Sequence, residues 1–189
     1  MTRSILIAGA AVAALAVSAC GRHADQTAAT APAADQTVAP AAPAVMTAAD
    51  FVTAAAATDM FEITEAKMAL KRSANADVKK FANMMIVDHT KSTAALKKAI
   101  AASGESLTLP SVLPADMQTR VDDLTKASGA DFDKTYIDQQ VAAHQTALGA
   151  LQGYAQTGDV PALKSFASDT VTVVQSHLTE AQRLQGMMK

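Results

Sequence analysis

The residues in this chain best suited to acid–base work or to holding a metal are few. His89, His144 and His177 each fall on the apolar stripe of a separate helical segment, and Glu62 and Glu65 fall on the stripe of another. Two chemistries fit that pattern. Buried imidazoles and carboxylates are costly unless they pair, so a Glu62–His89 or Glu65–His89 hydrogen bond would serve to fix helix register, with no cofactor. This reading ranks first. Neutral imidazole and carboxylate also suit zinc, iron or copper. The alternative is therefore one transition metal ion on Glu62, His89 and His144, with His177 as a further candidate and Glu65 and Met85 as accessory groups.

Other chemistries fail on inventory. Di-iron helical proteins use Glu-x-x-His pairs, but the residues three before the histidines are Ile86, Val141 and Val174. There is no Gly-rich phosphate loop and no Gly-x-Ser-x-Gly elbow. The single cysteine, Cys20, excludes a disulfide framework and a Cys-rich zinc site. A formal charge of −2 gives no basic field for nucleic acid. Lys79-Lys80 and Lys97-Lys98 read as solvated helix faces. Asp88 points roughly 100° away from His89, which makes it a surface residue or a contact with the other hairpin. No catalytic residue emerges, and the chain is not expected to be an enzyme.

These side chains need elements to position them. Aromatic residues are 4% of the chain and there is no tryptophan, whereas alanine, leucine and methionine abound, so the expectation is all-α. Thr47-Ala-Ala-Asp50 reads as a capping box for a helix reaching about Arg72. Its stripe is Phe51, Ala55, Thr58, Glu62, Glu65 and Ala69. Asn75 is placed to cap a second helix, closed by Gly104, with Val78, Phe81, Ala82, Met85, His89, Leu96, Ala99 and Ile100 on one face. Pro110 and Pro114 mark a loop, with Pro114 as the first residue of a short helix to Lys126 that Gly129 ends. A third long helix spans Ala130 to about Thr157. After a Gly158-Asp159 turn and cap, a fourth begins at Pro161 and aligns Leu163, Phe166, Thr170, Val173, His177, Ala181 and Leu184.

Ala49-Asp50-Phe51 matches Ala130-Asp131-Phe132, and Val78 to Ala82 parallels Leu163 to Ala167. This weak repeat favours two helical hairpins in a four-helix bundle, joined by a long crossover containing the short extra helix. At 1.5 Å per residue, Glu62 and His89 lie about 18 and 22 Å from the first turn, and His144 about 21 Å from the second. His177, at about 28 Å, falls one or two turns out of line.

The N-terminus reads as an address. Residues 1–19 hold Arg3, an apolar run from Ile5 to Val17, and small residues. That run is too short to span a bilayer and suits a signal peptide. Val17-Ser18-Ala19-Cys20 resembles the bacterial lipobox, which makes Cys20 the acylated first residue of a lipoprotein. Its fatty chains, palmitate among them, anchor it to a membrane. Gly21, in place of an inner-membrane retention Asp, points to the Gram-negative outer membrane, facing the periplasm. Residues 20–46, rich in Ala, Pro and Thr, read as a disordered tether, leaving 47–189 as the folded domain.

Several motifs match one family. They are Phe51-Val52-Thr53 with Glu62 and Glu65; Phe81-Ala82, Met85 and Val87-Asp88-His89-Thr90; Ser128-Gly129-Ala130-Asp131-Phe132 to Tyr136; and His144 and His177. Together they resemble the bacterial domain of unknown function 4142 family, whose members are often labelled outer-membrane or exported proteins. The resemblance implies a ferritin-like four-helix bundle in the cell envelope and no particular activity. The expectation is a non-catalytic envelope lipoprotein binding a partner or small ligand, with the metal-binding protein as the alternative.

Overall fold

In the computed structural model, which describes residues 46–188, the helices are α1 (Ala48–Arg72), α2 (Ala76–Ser103), α3 (Ala115–Lys126), α4 (Gly129–Thr157) and α5 (Pro161–Met187). No strand occurs among the described residues. The expected signal segment 1–19, the lipidation site Cys20 and the tether up to residue 45 lie outside them.

Local chemistry sets the helix ends. Thr47 and Asp50 form the capping box, with the Asp50 N–H donating to Thr47 Oγ1 at 3.1 Å and the Thr47 hydroxyl to Asp50 Oδ2 at 2.7 Å. Asn75 Oδ1 accepts from the Asp77 N–H at 2.9 Å, and Gly104 closes α2 at φ 72°. Pro114 is the cap of α3 and not its first residue, and Gly129 opens α4 instead of ending α3. Val160 caps α5 in place of Asp159, which instead accepts from the Tyr154 hydroxyl at 3.1 Å. A Cβ on Gly158 would lie 2.5 Å from Tyr154 Cε1, so only glycine lets this turn fold onto the ring.

The four long helices form a bundle in which α1 packs on α2 and α4, and α5 packs on α2 and α4. The core residues give the directions. Phe51, Leu96, Leu151, Tyr154, Leu163 and Phe166 share one end, while Ala69, Phe81, Phe132, Tyr136, Ala181 and Leu184 share the other. Hence α2 and α4 run parallel, and the connection between them must travel the bundle's length. It does so against α1 and α4, where Val121 of α3 packs with Phe61 and Ala143. Arg72 ties down its far end by donating to the carbonyls of Leu124, Thr125 and Ala127 while lying 4.5 Å over the Phe132 ring. The repeated aromatics occupy opposite ends, with Phe51 against Phe166 at one and Phe132 clustered with Phe81 at the other.

Some stripe residues differ from expectation. Val173 is 42% exposed, and Val174 and Leu178 take the buried positions on α5. Met46, assigned to the tether, packs on the cluster containing Phe51. The shift on α5 reflects a helical stripe wider than a single 3.6-residue row, because each long helix faces two neighbours.

Candidate metal centre

The three bundle histidines converge at mid-bundle. His89, His144 and His177 are 4%, 1% and 2% exposed, and their ring centroids stand 5.4 to 5.6 Å apart. One nitrogen from each ring lies within 4.8 Å of the others. His177 is thus not out of line. Side chains tilt toward the N-terminus of their own helix. The antiparallel α4 and α5 therefore tilt His144 and His177 toward each other, which closes an offset of about one turn. The sequence estimate measured Cα heights and missed this.

Each ring is held from behind. His89 Nδ1 lies 2.8 Å from Asp59 Oδ1, and Asp59 Oδ2 accepts from the Thr93 hydroxyl at 2.9 Å. His144 Nδ1 lies 2.9 Å from the Gln140 carbonyl, and His177 Nε2 lies 3.2 Å from Asp88 Oδ2. Carbonyls and carboxylates only accept, so each fixes a proton on the nitrogen it touches and leaves a lone pair on the opposite one. Those are His89 Nε2, which is buried with no hydrogen-bond partner, His144 Nε2 and His177 Nδ1. The last two stand 3.4 Å apart. Two acceptors at that separation repel unless a cation lies between them. Nitrogens bound tetrahedrally to one zinc at ~2.0–2.1 Å are themselves ~3.4 Å apart.

Burial holds His144 and His177 in the neutral form. Burial, then repulsion from any proton carried by the neighbouring His89 and His177 rings, holds His144 down to about 3. Burial and His89 also lower His177, against the opposing pull of Asp88. Although burial pushes it upward, the hydrogen bonds from Lys91 and His177 keep the Asp88 carboxyl below its usual value. Asp88 is therefore the inter-hairpin contact, reaching α5 from α2. At neutral pH no proton competes for the lone pairs of His144 and His177.

The expected carboxylate ligands lie elsewhere. Glu62 approaches His144 on its Nδ1 side, at 3.5 Å, away from the convergence point. Neither Glu62 nor Glu65 pairs with His89, whose partner is Asp59. Both glutamates instead belong to an adjoining layer with Gln140 and Tyr136. Gln140 Nε2 donates to Glu65 Oε2 at 3.1 Å, while both Glu62 oxygens and the Tyr136 hydroxyl have no partner. Burial raises Glu65 to about 8, against the amide of Gln140. Burial and the charge of Glu65 raise Glu62 well above the usual carboxyl range. Met85 is fully buried in the cluster with Phe81 and Ile137 and does not line the chamber into which the histidines face.

Asp59 is the residue that the sequence reading missed. The signal was present, since Asp59 stands thirteen residues before the end of α1 and His89 thirteen after the start of α2. Equal counts from a tight turn put two residues at one height.

The family model of a domain of unknown function, DUF4142, matches residues 29–184. No curated protein and no solved structure shows a match.

Proposed function

This chain belongs to the DUF4142 family of domains of unknown function, and on that premise we propose a lipid-anchored cell-envelope protein that binds one transition metal ion at His89, His144 and His177. The observation that carries it is the convergence of three buried imidazoles whose outer nitrogens are each held by an acceptor. Register-fixing alone does not account for it. A pair formed only to satisfy itself turns donor to acceptor, and here lone pair faces lone pair at 3.4 Å. The bundle is read as ferritin-like because parallel α2 and α4 joined by a full-length crossover give two hairpins in that order.

The site is a binding site and not a catalytic one in this reading, since Asp59 and Asp88 are engaged in orienting imidazoles. Imidazole ligands suit zinc, copper, iron or nickel. Attachment to the outer membrane through Cys20 rests on Val17-Ser18-Ala19-Cys20. Cys20→Ser should move the protein from the membrane to the soluble envelope fraction, and a variant that stays bound sinks the anchor. For the metal, calorimetric titration with Zn²⁺, Cu²⁺ and Fe²⁺ should give one sub-micromolar site that disappears in His177→Ala. Binding no better than millimolar, or binding indifferent to His177, overturns the reading.

A further inference from the structure

The His trio is not sealed on all sides. Toward the end of the bundle that holds Phe51 and Phe166 it opens into a half-enclosed cavity of about 330 Å³ lined by all three histidines. The two halves of the core differ in what fills them. On the far side of the trio the space is taken by Phe81, Met85, Phe132, Tyr136 and Ile137. On this side the walls facing the cavity from α1 and α4 include Ala54, Ala55, Ala147 and Ala150, whose methyl groups leave the volume unfilled. Protein interiors normally fill such space. His89 Nε2, buried and without a partner, belongs to a ring at its inner wall.

We propose that this chamber binds a small, mainly apolar, uncharged molecule that offers one neutral nitrogen or sulphur donor to the ion held by the trio. The proposal rests on the metal reading above. Size sets the first limit. An apolar cavity of ~150 Å³ holds one benzene, so about 330 Å³ accommodates two rings or a substituted one. Charge sets the second. Asp59 and Asp88, each on the back of a ligand imidazole, already balance a divalent ion. The other two carboxylates lining the chamber are Asp50 and Asp116, both exposed, and they disfavour entry of an anion. Three histidines leave a tetrahedral ion one open position, and the chamber beside the trio is lined mainly by apolar surface.

The test uses the full-length protein loaded with Co²⁺, whose visible spectrum reports a change of ligand, and three probes: imidazole, 4-phenylimidazole and benzoate. The expected result is that 4-phenylimidazole perturbs the spectrum and binds at least about ten-fold tighter than imidazole, because its second ring leaves water. Ala55→Leu and Ala147→Leu, made separately and each checked for unchanged helical content, should reduce that advantage to about two-fold or less. They should leave Co²⁺ affinity and imidazole binding unaltered, since neither residue is a ligand of the ion or an acceptor behind one. Equal affinity for imidazole and 4-phenylimidazole, or folded leucine variants that keep the advantage, overturns the chamber while leaving the metal site standing. Benzoate binding tighter than 4-phenylimidazole overturns the neutral donor. Failure to take up Co²⁺ at all refutes the metal reading, and the chamber's ligand falls with it.

Discussion

Two polar layers sit next to one another in the middle of this bundle, and they solve the same physical problem in opposite ways. In the imidazole layer of His89, His144 and His177, two bases, His144 and His177, are kept neutral by withholding a proton. The carboxyl layer, Glu62 and Glu65 with Gln140 and Tyr136, keeps acids neutral by retaining one. Burial drives both, because a low-dielectric interior disfavours whichever form carries charge. The layers differ in partnership. Every histidine has one nitrogen held by an acceptor and presents the other inward. In the carboxyl layer, Glu62 has both oxygens unpaired and Glu65 has one. The first layer turns bare nitrogens toward one point, and the second holds protonated carboxyls that carry no charge. Carboxylates at mid-bundle are therefore poor evidence for a metal site until the backs of the rings have been inspected.

The largest expected effect breaks the comparison at the imidazole layer. His89→Ala, His144→Ala or His177→Ala should each lower metal affinity by more than about 100-fold, whereas Glu62→Gln should change it by less than about 10-fold, the low end for an outer-shell partner. Calorimetry on the four variants decides this. Equal losses from Glu62→Gln and His177→Ala would mean that the two layers form one site.

Next in size is the pair behind His89. Asp59→Ala leaves a buried imidazole N–H without its acceptor and should cost about 1–3 kcal/mol in denaturant unfolding of the metal-free protein. Asp59→Leu with His89→Leu together should cost less than Asp59→Ala, because no charge or donor is then stranded. If the double variant is the less stable of the two, the pair stabilises the fold on its own account.

The metal-free protein should also show the two layers as opposite limbs of its pH profile. Between about pH 3 and 6.5 the unfolded chain binds a proton that folded His144 refuses, so stability rises with pH. Between about pH 4.5 and 8 folded Glu65 keeps a proton that the unfolded chain has lost, so stability falls with pH. Each group contributes at most about 1.4 kcal/mol per pH unit inside its window. Chelator-treated protein should therefore be most stable near the overlap, and Glu65→Gln should flatten the decline from pH 6.5 to 8. Thermal melts followed by circular dichroism at half-unit intervals would show it. An undiminished decline in Glu65→Gln assigns the alkaline limb elsewhere.

The smallest effect belongs to Met85, one helical turn from His89 but packed among Phe81 and Ile137. Met85→Leu conserves volume, so it should cost less than about 1.5 kcal/mol and leave copper affinity unchanged. A lost Cu²⁺ site would place its sulphur in the imidazole layer after all.

The sequence by itself determined the helices and their order. Apolar spacing, the Thr47–Asp50 box, Asn75, Gly104 and Pro161 act within a few residues, and local signals of that kind are readable without knowing what packs where. It also determined that three histidines and two glutamates would be interior, because polar residues on apolar stripes have nowhere else to go. Tertiary structure alone decided which of them meet. Whether His177 reaches His144 depends on the opposed side-chain tilts of antiparallel helices. Whether Glu62 faces a metal or the back of a ring depends on which nitrogen of His144 the Gln140 carbonyl occupies. Asp59 and Asp88 become partners of His89 and His177 only once α1, α2 and α5 are side by side. Those contacts join residues 30 and 89 positions apart, a separation over which helical periodicity carries no register information.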